Sequence, residues 1–570
     1  MATPASFMDA YRPCLRGSRH MTVAGHYLAA EAGFRAMENG GNAIDAGVAA
    51  GLALGVVQSD LVNFAGVAPI VLYLAETDEV LTISGLGVWP RATDAAWMAR
   101  EHADGVPRGV RRQIVPSAPD AWLTALARYG RLSFAEVAAA AISLARDGFV
   151  MYPLMAEVIA DHQSHYAGFP SNAAIYLPGG RPPEVGKRFV QSDLAGTIQY
   201  MADCEAAAGG SRADGIRAAR DAFYKGDIAA RIGDFHEAEG GWLRREDLAE
   251  FSVDIEPALT TSFNGIDIYG CGPWCQGPVL LQALGLLNGQ DLAALGHNSP
   301  EYIHLLTEAF KLAVADRERW YGDPRFVDVP LDTLLSDDYA AARRALIDPD
   351  RAYPGMPPAG EPGPPEPAPR REPVPALDTS YVCCVDAEGN VFSATPSDAS
   401  YDGPVVPGTG LVPSTRGSQS RPDPTHPASV MPGKRPRLTP NPALARKPGE
   451  WVMPLGTPGG DVQCQAMMQA LINVTTFGMN PQEAVEAPRF ASYSFPSSFA
   501  PHPYYPRLLK LEGRIDRTVG EALEARGHEI EWWGDWHWHA GAMCLIQSDA
   551  RDGVMAAGAD PRRSCYAVGW

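Results

Sequence analysis

The chain has 570 residues, more than one ordinary hydrophobic core holds, so we expect two domains or one large layered domain. Its hydrophobic content of 46% and charged content of 20% are typical of a globular, soluble protein. The formal net charge of −20 argues against nucleic acid or an anionic membrane surface as a partner, because binding phosphate groups requires a basic patch.

The number of cysteines and the lengths of the apolar runs indicate the cellular compartment in which we expect the protein. The nine cysteines are odd in number and scattered, which in a chain of this size favours free thiols in a reducing compartment over a disulfide framework. Residues 1–22 lack the apolar core of a signal peptide, and no apolar run reaches the roughly 18–20 residues that span a bilayer. We therefore expect a cytoplasmic protein that does not bind a membrane.

Hydrophobic periodicity and turn residues place helices and strands along the chain. We predict helices over 25–57 (interrupted at 39–42), 118–128, 134–146, 223–232, 245–251, 279–287, 300–320 and 462–477, and strands over 70–74, 80–84, 266–269, 382–385, 391–394, 441–454, 543–546 and 554–558. Strand hairpins near both ends with helices between them favour an α+β fold in which helices cover antiparallel sheets.

The transition at Thr379 is abrupt. Residues 351–375 are rich in Pro and poor in apolar side chains, so they cannot offset their ordering entropy by burial. An apolar strand follows directly, opening with Thr379. Two interpretations are open: a plain boundary between domains, or a new chain that cleavage before Thr379 releases.

If Thr379 is the first residue of a chain, its α-amino group can act as the base for its own hydroxyl. A free α-amino group has a pKa of about 7.7–8.0, so a fraction is neutral at physiological pH and can take the proton of the neighbouring hydroxyl. The branched Cβ restricts χ1 and so fixes the direction of Oγ1. The same hydroxyl could first attack the peptide carbonyl between Asp378 and Thr379, which would explain cleavage without a protease.

A second candidate element is the pair Gly459 and Gly460, at the predicted start of a helix. Glycines let backbone N–H groups approach a ligand, and the unpaired N–H groups of a helix N-terminus favour negative charge. Such a turn can stabilise an oxyanion in acyl transfer, although a plain turn or a phosphate-binding nest has the same pattern.

Metal and nucleotide sites have weaker support. His537 and His539 would share one face of a strand, but no third ligand is nearby, so an aromatic packing role is favoured. Cys271 and Cys275 lack the partner pair of a zinc site, and no phosphate-binding loop or dinucleotide fingerprint is present in the sequence. We expect neither a metal nor a cofactor.

Short blocks along nearly the whole chain occur in the order found in one family. They are Gly40 to Ala46, Ser143 to Phe149, Phe223 to Gly226, Ala315 to Arg317, Gly322 to Pro324, Asp378 to Tyr381, Gly433 to Pro436, Gly456 to Gly460 and Asp560 to Arg562. By these blocks the chain resembles the γ-glutamyltranspeptidase family of N-terminal nucleophile hydrolases.

The resemblance implies a four-layer αββα sandwich and a proenzyme that cleaves itself before Thr379. It implies a large subunit, 1–378, whose Pro-rich tail at about 351–377 is mobile, and a small catalytic subunit, 379–570, which could pair further as a dimer of heterodimers. In the same way it implies Thr379 as the nucleophile of an acyl-enzyme mechanism and Gly459 and Gly460 as the oxyanion hole. Ser397 falls where the family has a Thr that hydrogen-bonds the nucleophile.

The departures from the family concern the substrate. Leu86 falls where glutathione-using members have the Arg that holds the γ-glutamyl carboxylate, and Ala399 replaces an Asn of the same site. Of a paired Ser motif only Thr439 keeps a hydroxyl, and residues 415–422 offer no convincing counterpart of the Asp that pairs with the amino group. Because Leu cannot pair with a carboxylate, we expect γ-glutamyl compounds to be poor substrates.

Three functions remain open. The first is an autoprocessed Thr amidohydrolase or acylase of a small non-γ-glutamyl amide, as in family branches that include oxamate amidohydrolase and cephalosporin acylases; one further branch is associated with carbon–carbon bond cleavage. The second is a γ-glutamyl hydrolase or transpeptidase with a rearranged site. The third is an uncleaved, inactive homologue that binds a ligand.

The aromatic run 532–538 and Trp274 could line a pocket or pack structurally.

Overall fold

A computed structural model describes residues 10–360 and 379–570. Within those ranges the strands lie as follows. They are β1 (Leu15–Gly17), β2 (Met21–Ala24), β3 (Ile70–Leu74), β4 (Glu79–Ile83), β5 (Phe149–Val150), β6 (Arg188–Phe189), β7 (Ile255–Pro257), β8 (Leu259–Phe263), β9 (Ile266–Gly270), β10 (Val382–Val385), β11 (Val391–Ala394), β12 (Ala443–Lys447), β13 (Trp451–Gly456), β14 (Phe490–Ser492), β15 (Leu508–Leu511), β16 (Glu529–Trp532), β17 (Cys544–Asp549), β18 (Met555–Ala559) and β19 (Tyr566–Gly569).

The α-helices of the same ranges include several of only one or two turns. They are α1 (Tyr27–Glu38), α2 (Ala43–Val57), α3 (Ala95–Glu101), α4 (Ala118–Tyr129), α5 (Phe134–Arg146), α6 (Pro153–Asp161), α7 (Gln163–Ala167), α8 (Pro170–Tyr176), α9 (Ser192–Ala208), α10 (Arg212–Tyr224), α11 (Asp227–Ala238), α12 (Arg245–Glu250), α13 (Gly277–Leu287), α14 (Leu292–Leu295), α15 (Pro300–Trp320), α16 (Leu331–Leu334), α17 (Asp337–Arg344), α18 (Gln463–Thr475), α19 (Pro481–Glu486) and α20 (Arg517–Ala525).

Two seven-stranded antiparallel sheets form the centre of the molecule. One has the order β1-β18-β17-β13-β12-β9-β8 and the other β19-β2-β10-β11-β3-β4-β7. Each sheet takes strands from both sides of Thr379, so this residue does not separate two domains. The interpretation of Thr379 as a plain domain boundary is therefore wrong.

Strand β10 shows why the central strands are apolar throughout. Val382 and Cys384 face a core shared with helices α1 and α2, whereas Cys383 and Val385 face the core between the two sheets. A strand covered on both faces has no polar side, and its side chains alternate between two apolar cores.

The outer helices complete four layers. Helices α1, α2, α4, α5, α9 and α10 cover the sheet that contains β10. Helices α13, α15 and α18 cover the sheet that contains β13. The expected αββα sandwich of the α+β class is confirmed.

The start of helix α2 shows how local sequence fixes one of these layers. Asn42 is its N-cap and forms a reciprocal capping box with Asp45. The Asp45 carboxylate also accepts hydrogen bonds from the backbone of Arg131 and Leu132, at 2.9 Å each. This carboxylate therefore ties α2 to the turn between α4 and α5.

Two local predictions merge separate elements, and others differ from the structure by up to three residues at their ends. The strand expected over 441–454 is the hairpin of β12 and β13, whose turn contains Gly449 with φ +73°. The helix expected over 223–232 joins the end of α10 to the start of α11 across Gly226. The strand expected over 80–84 is β4, one residue earlier. In the first two cases a break of one to three residues interrupts an apolar pattern that continues on either side.

The first part of the Pro-rich segment packs against the helical layer. The backbone N–H of Ala352 donates to the Arg526 carbonyl at 2.7 Å, and that of Gly360 donates to Asp316 Oδ1 at 2.9 Å. The tail predicted to be mobile from about residue 351 thus makes backbone hydrogen bonds to this layer at Ala352 and Gly360, and its mobility stays a prediction. Residues 361–377 and Asp378 lie outside the described residues.

No helix in 10–360 or 379–570 is long and apolar enough to cross a membrane.

Candidate active site

Thr379 lies at the entry to β10 and is buried, with 1% of its surface exposed. The next residue, Ser380, donates from its backbone to the Pro396 carbonyl at 2.9 Å, and Gly25 donates to the Tyr381 carbonyl at 3.0 Å. A Cβ added to Gly25 would lie 2.0 Å from Ser380 Oγ, so only glycine allows the approach of these chains. Neighbouring strands therefore fix the backbone beside Thr379.

The Thr379 hydroxyl contacts a second hydroxyl. Its Oγ1 lies 2.7 Å from Ser397 Oγ, and either oxygen can be the donor. Ser397 is fully buried, and its backbone N–H donates to Val67 at 3.0 Å. The structure thus joins two residues singled out in the sequence.

A buried ion pair extends this contact. The Arg416 guanidinium donates to Ser397 Oγ, and its Nε lies 3.2 Å from Asp398 Oδ1. Asp398 also accepts from Ser414 Oγ at 2.7 Å and from Thr415 Oγ1 at 3.0 Å. Burial raises the pKa of Asp398, and the Arg416 charge opposes that rise. A positive charge is therefore held against the hydroxyl that contacts Thr379.

Asp398 has a strained backbone. Its φ of +113° is far from the conformations that non-glycine residues favour. Such strain persists only where surrounding contacts over-determine the conformation, and here four hydrogen bonds and ion pairs hold the side chain.

The Gly459–Gly460 turn follows β13, on the sheet that faces β10. Gly459 has φ +134° and Gly460 φ +56°, which favour glycine at both positions. At the end of β13, a Cβ on Gly456 would lie 2.2 Å from the Tyr381 ring, so the two strands approach closely near Thr379. Within the described part of the chain, neither glycine N–H donates a hydrogen bond to a protein acceptor. These donors can therefore serve a ligand.

Asp461 anchors the turn from behind. Its Oδ1 accepts from Arg317 Nη1 at 2.6 Å, from Ser498 Oγ at 2.6 Å and from Gln276 Nε2 at 2.8 Å. Arg317 belongs to α15 and is fully buried. The block Ala315 to Arg317 found in the sequence therefore supports the Gly459–Gly460 turn.

A cavity of about 290 Å³ lies near Arg416, and Thr379, Ser397, Gly459 and Gly460 do not line it. Phe499 lines it and lies 5.4 Å from the Arg416 guanidinium. Arg112 Nη1, at the same cavity, lies 3.0 Å from Asp402 Oδ2. The other lining residues include Asp104, Val106, Arg108, Tyr401, Ser418 and Pro501. The cavity thus combines aromatic surface with charges of both signs.

The three predicted substrate-binding residues have different surroundings, and their role stays a prediction. Leu86 is buried and lines a different cavity, with Trp89 and Arg435. Ala399 is fully buried next to the Asp398 backbone. Thr439 Oγ1 accepts from Gln419 Nε2 at 2.8 Å, and its backbone N–H donates to Gln419 Oε1 at 3.2 Å. Thr439 is thus paired with a residue of the segment 415–422.

The candidate metal ligands form other contacts. His537 and His539 lie in a 3₁₀ turn, so the strand geometry considered for them is wrong, and the His539 N–H donates to His537 Nδ1. Among the described residues, His304, Glu308 and His528 could meet at one ion. There, however, His304 Nδ1 lies 2.9 Å from His528 Nε2, and the Lys311 ammonium lies 2.9 Å from Glu308. A cation already neutralises this carboxylate.

The aromatic run and Trp274 have structural contacts. Trp274 is fully buried, and its Nε1 donates to Glu256 at 2.7 Å. The Trp538 carbonyl accepts from Arg563 Nε at 3.3 Å. Gly541, at the end of the same loop, contacts Thr457 before the Gly459–Gly460 turn. These contacts favour structural packing over the lining of a pocket for Trp274 and the loop that contains Trp538.

Sequence reasoning missed Arg416 and Asp398. Asp398 directly follows Ser397, and Arg416 lies in the segment that was searched for an acid. A charged pair in otherwise polar, glycine-rich sequence was the available signal, but only the fold shows that the two side chains meet at Ser397.

Comparison with known proteins agrees with this geometry. Residues 29–570 match the family described as Gamma-glutamyltranspeptidase. The chain is 35% identical to "Acylase ACY 1 proenzyme" of Pseudomonas sp. (strain SE83) over 527 residues, or 90% of this chain and 88% of that protein.

Solved structures share the whole fold. LmbA2991HD has a TM-score of 0.92 and 34% identity, with 98% of this chain and 100% of that chain covered. Cephalosporin acylase from Bacillus halodurans has a TM-score of 0.85 and 27% identity, with 100% and 99% covered. The match across the chain identifies an enzyme of the hydrolase class. The chain belongs to the gamma-glutamyltranspeptidase family.

Proposed function

We propose that the chain cleaves itself before Thr379 and that mature Thr379 is the nucleophile in hydrolysis of a small amide other than a γ-glutamyl compound. The contact of 2.7 Å between Thr379 Oγ1 and Ser397 Oγ, backed by Arg416, carries this proposal. A buried, oriented hydroxyl next to free backbone donors is the equipment of acyl transfer.

Cleavage uses the same hydroxyl. Thr379 Oγ1 attacks the carbonyl carbon of Asp378, and the peptide C–N bond breaks as the nitrogen takes a proton. The resulting ester is hydrolysed by water, which leaves a carboxyl group on Asp378 and a free α-amino group on Thr379. The strand contacts of Ser380 and Tyr381 hold the backbone during this exchange.

The mature enzyme acts in two steps. The α-amino group takes the proton of Thr379 Oγ1, which attacks the amide carbonyl, and the N–H groups of Gly459 and Gly460 stabilise the oxyanion. The C–N bond breaks, the leaving amine takes the proton, and an ester remains on Thr379. Water, deprotonated by the same amine, then releases the acid. Ser397 and Arg416 orient the Thr379 hydroxyl during both steps.

Three observations support the proposed substrate class. Leu86 and Ala399 offer no charge to a γ-glutamyl group. Two similar proteins are named as acylases. The cavity near Arg416 combines Tyr401 and Phe499 with Arg112 and Asp402. We infer that this cavity receives the part of an amide substrate that lies away from the scissile bond.

The first test is the mass of the purified wild-type protein. We expect two fragments that meet at the bond between Asp378 and Thr379, with Thr379 as the N-terminal residue of the smaller one. Intact mass measurement and N-terminal sequencing of fresh and aged protein check this. A single intact chain in both samples would contradict the proposal and favour the inactive homologue.

The second candidate function, γ-glutamyl hydrolysis or transfer, is favoured by the family match and by relatives that are named as glutathione hydrolases. We expect kcat/KM for γ-glutamyl-p-nitroanilide to be at least about 100-fold below that for the best amide in a screen of oxamate, acyl-homoserine and β-lactam side-chain amides. The reason is the missing clamp, since an unpaired buried carboxylate costs about 2–5 kcal/mol. Comparable rates for both substrates would establish the second function instead.

A further inference from the structure

Asp60 is a buried carboxylate to which the proposed mechanism gives no role. Asp60 lies in the turn after α2 and is fully buried. In the described part of the molecule, no side chain donates a hydrogen bond to its carboxylate oxygens, and the N–H groups beside them are those of its own backbone and of Leu61. Burying an ionised group without partners is costly, so such a residue calls for a nearby charge or a function.

The nearby charge is Arg563. Its Nη1 donates to the Thr379 carbonyl oxygen at 3.5 Å, and its Nε donates to Trp538 at 3.3 Å. Its Nη2 has no acceptor among residues 10–360 and 379–570, and the side chain is buried. The guanidinium therefore contacts Thr379 through Nη1, and its Nη2 has no acceptor among the described residues.

The turn that carries Asp60 is fixed against the strand of the nucleophile. Gln58 Nε2 donates to the Gly25 carbonyl at 3.0 Å. Gly25 in turn contacts Ser380, the residue after Thr379. Asp60 and Arg563 thus approach the start of β10 from two separate parts of the chain.

Titration of the two groups agrees with their proximity. Burial raises the pKa of Asp60 to about 7, and the Arg563 charge opposes part of that rise. Burial lowers the pKa of Arg563 to about 10, and Cys565, Asp560, Asp60 and Tyr152 oppose that fall. Arg563 is therefore positive at neutral pH, whereas Asp60 is partly ionised.

We propose that Asp60 and Arg563 are positioning residues that set the basicity of the Thr379 α-amino group after cleavage. This inference rests on the proposed function. A positive charge beside the amine disfavours its ammonium form, and a negative charge favours it. Arg563 bonds to Thr379 itself, so its effect exceeds that of Asp60, and the pair keeps the amine neutral at physiological pH.

Other ionisable groups face this pair from the surrounding elements. Those around Asp60 and Arg563 are Tyr152, Tyr166, Tyr176, His539, Asp560 and Cys565, and those around Thr379 are Arg416 and, through it, Asp398. Burial lowers the pKa of His539 to about 3, so this imidazole is neutral over the range tested. Burial holds the pKa of the three tyrosines above the usual value, so they stay neutral over the range tested. Arg416 and Asp398 are unchanged in the variants below and act equally in all of them.

The test is the acid limb of the pH profile of kcat/KM for the cleaved enzyme. Asp60 is only partly ionised at the pH of this limb, so Asp60→Asn should move the limb to lower pH by about half a unit. Arg563→Gln should move it to higher pH by about one unit, and the limb of the double variant should lie between those of the wild type and Arg563→Gln. Glu31→Gln, an exposed residue on α1, should leave the limb in place.

A second measurement uses the wild-type enzyme alone, so it does not depend on whether the variants fold. In the wild-type enzyme, the pH dependence of labelling of the Thr379 α-amino group by an amine-reactive reagent, followed by mass spectrometry, should give a pKa below about 7. A pKa at the ordinary value of about 7.7–8.0 overturns the inference, as do limbs of the folded single variants that coincide with the wild type. If the wild-type chain is not cleaved before Thr379, the proposed function itself fails; a cleaved, active enzyme with an ordinary amine pKa refutes only this inference.

Discussion

Thr379→Ala is expected to leave the protein as one uncleaved chain that hydrolyses no amide above the uncatalysed rate. The variant lacks the hydroxyl that, in our proposal, attacks in both cleavage and catalysis. Thr379→Ser keeps the hydroxyl but not the methyl group that restricts χ1, so we expect slower cleavage and about 10–100-fold lower kcat. Intact mass and amide hydrolysis measure the two effects.

Cleavage and catalysis can be separated by producing residues 1–378 and 379–570 as two chains in the same cell, so that the mature N-terminus forms without autocleavage. In this form Thr379→Ala should lower kcat by about 10⁴-fold or more, as expected for removal of a nucleophile. Size-exclusion chromatography should show that the two chains still associate.

Ser380→Ala is the matched control. Ser380 is the adjacent buried hydroxyl, yet its Oγ packs near Gly25 and not against Ser397. This variant should be cleaved and active. Normal cleavage of Thr379→Ala, or loss of activity in Ser380→Ala alone, would show that the nucleophile is misassigned.

The contact between Thr379 and Ser397 could be predicted because short sequence blocks carry both residues. The strand β10 and the glycine turn are local features, and the order of the blocks fixes their positions in the fold. Ser397 follows from its place after β11, a strand that the alternating apolar pattern indicates.

The charges around the nucleophile could not be predicted in the same way. Arg416 and Asp398 lie 18 residues apart in a segment without regular periodicity, and Asp60 and Arg563 lie near opposite ends of the chain. Only the pairing of β10 with β2 and of β2 with β19 brings those ends together. Leu86 shows a further limit. Its place in the sequence matches the Arg that holds the γ-glutamyl carboxylate in other members, but the sequence does not show which cavity the side chain lines.

The hairpin of β12 and β13 was merged into one strand for a physical reason. Apolar residues lie on both sides of the turn, at 443–445 and 451–453, and the turn occupies only three residues, so the pattern was continued across the turn signal Pro448-Gly449. The error matters for the site, because β13 leads directly into the Gly459–Gly460 turn and its pairing with β12 and β17 fixes where that turn lies.

Arg317→Met is expected to destabilise the protein by about 3–5 kcal/mol, because it leaves the Asp461 carboxylate buried without its counter-ion. Arg317 has no exposed surface and donates to Asp461, Ser498 and the Pro496 carbonyl. The denaturant midpoint and the melting temperature of the purified variant measure the loss.

The same variant tests how the two fragments hold together. Arg317 precedes Thr379 in the chain and Asp461 follows it, so after cleavage this ion pair joins the large fragment to the small one. We therefore expect the fragments of Arg317→Met to separate at a lower denaturant concentration on size-exclusion chromatography. Amide hydrolysis should fall as well, since Asp461 directly follows the Gly459–Gly460 turn.

Two controls separate this effect from the general cost of removing an arginine. Arg35→Met breaks an exposed pair with Glu31 on α1 and should cost less than about 1 kcal/mol. Arg317→Met combined with Asp461→Asn removes both charges and should recover part of the stability, because no unpaired buried charge remains. A double variant as unstable as the sum of both single variants would mean that packing of the Arg317 side chain, and not its charge, supports the turn.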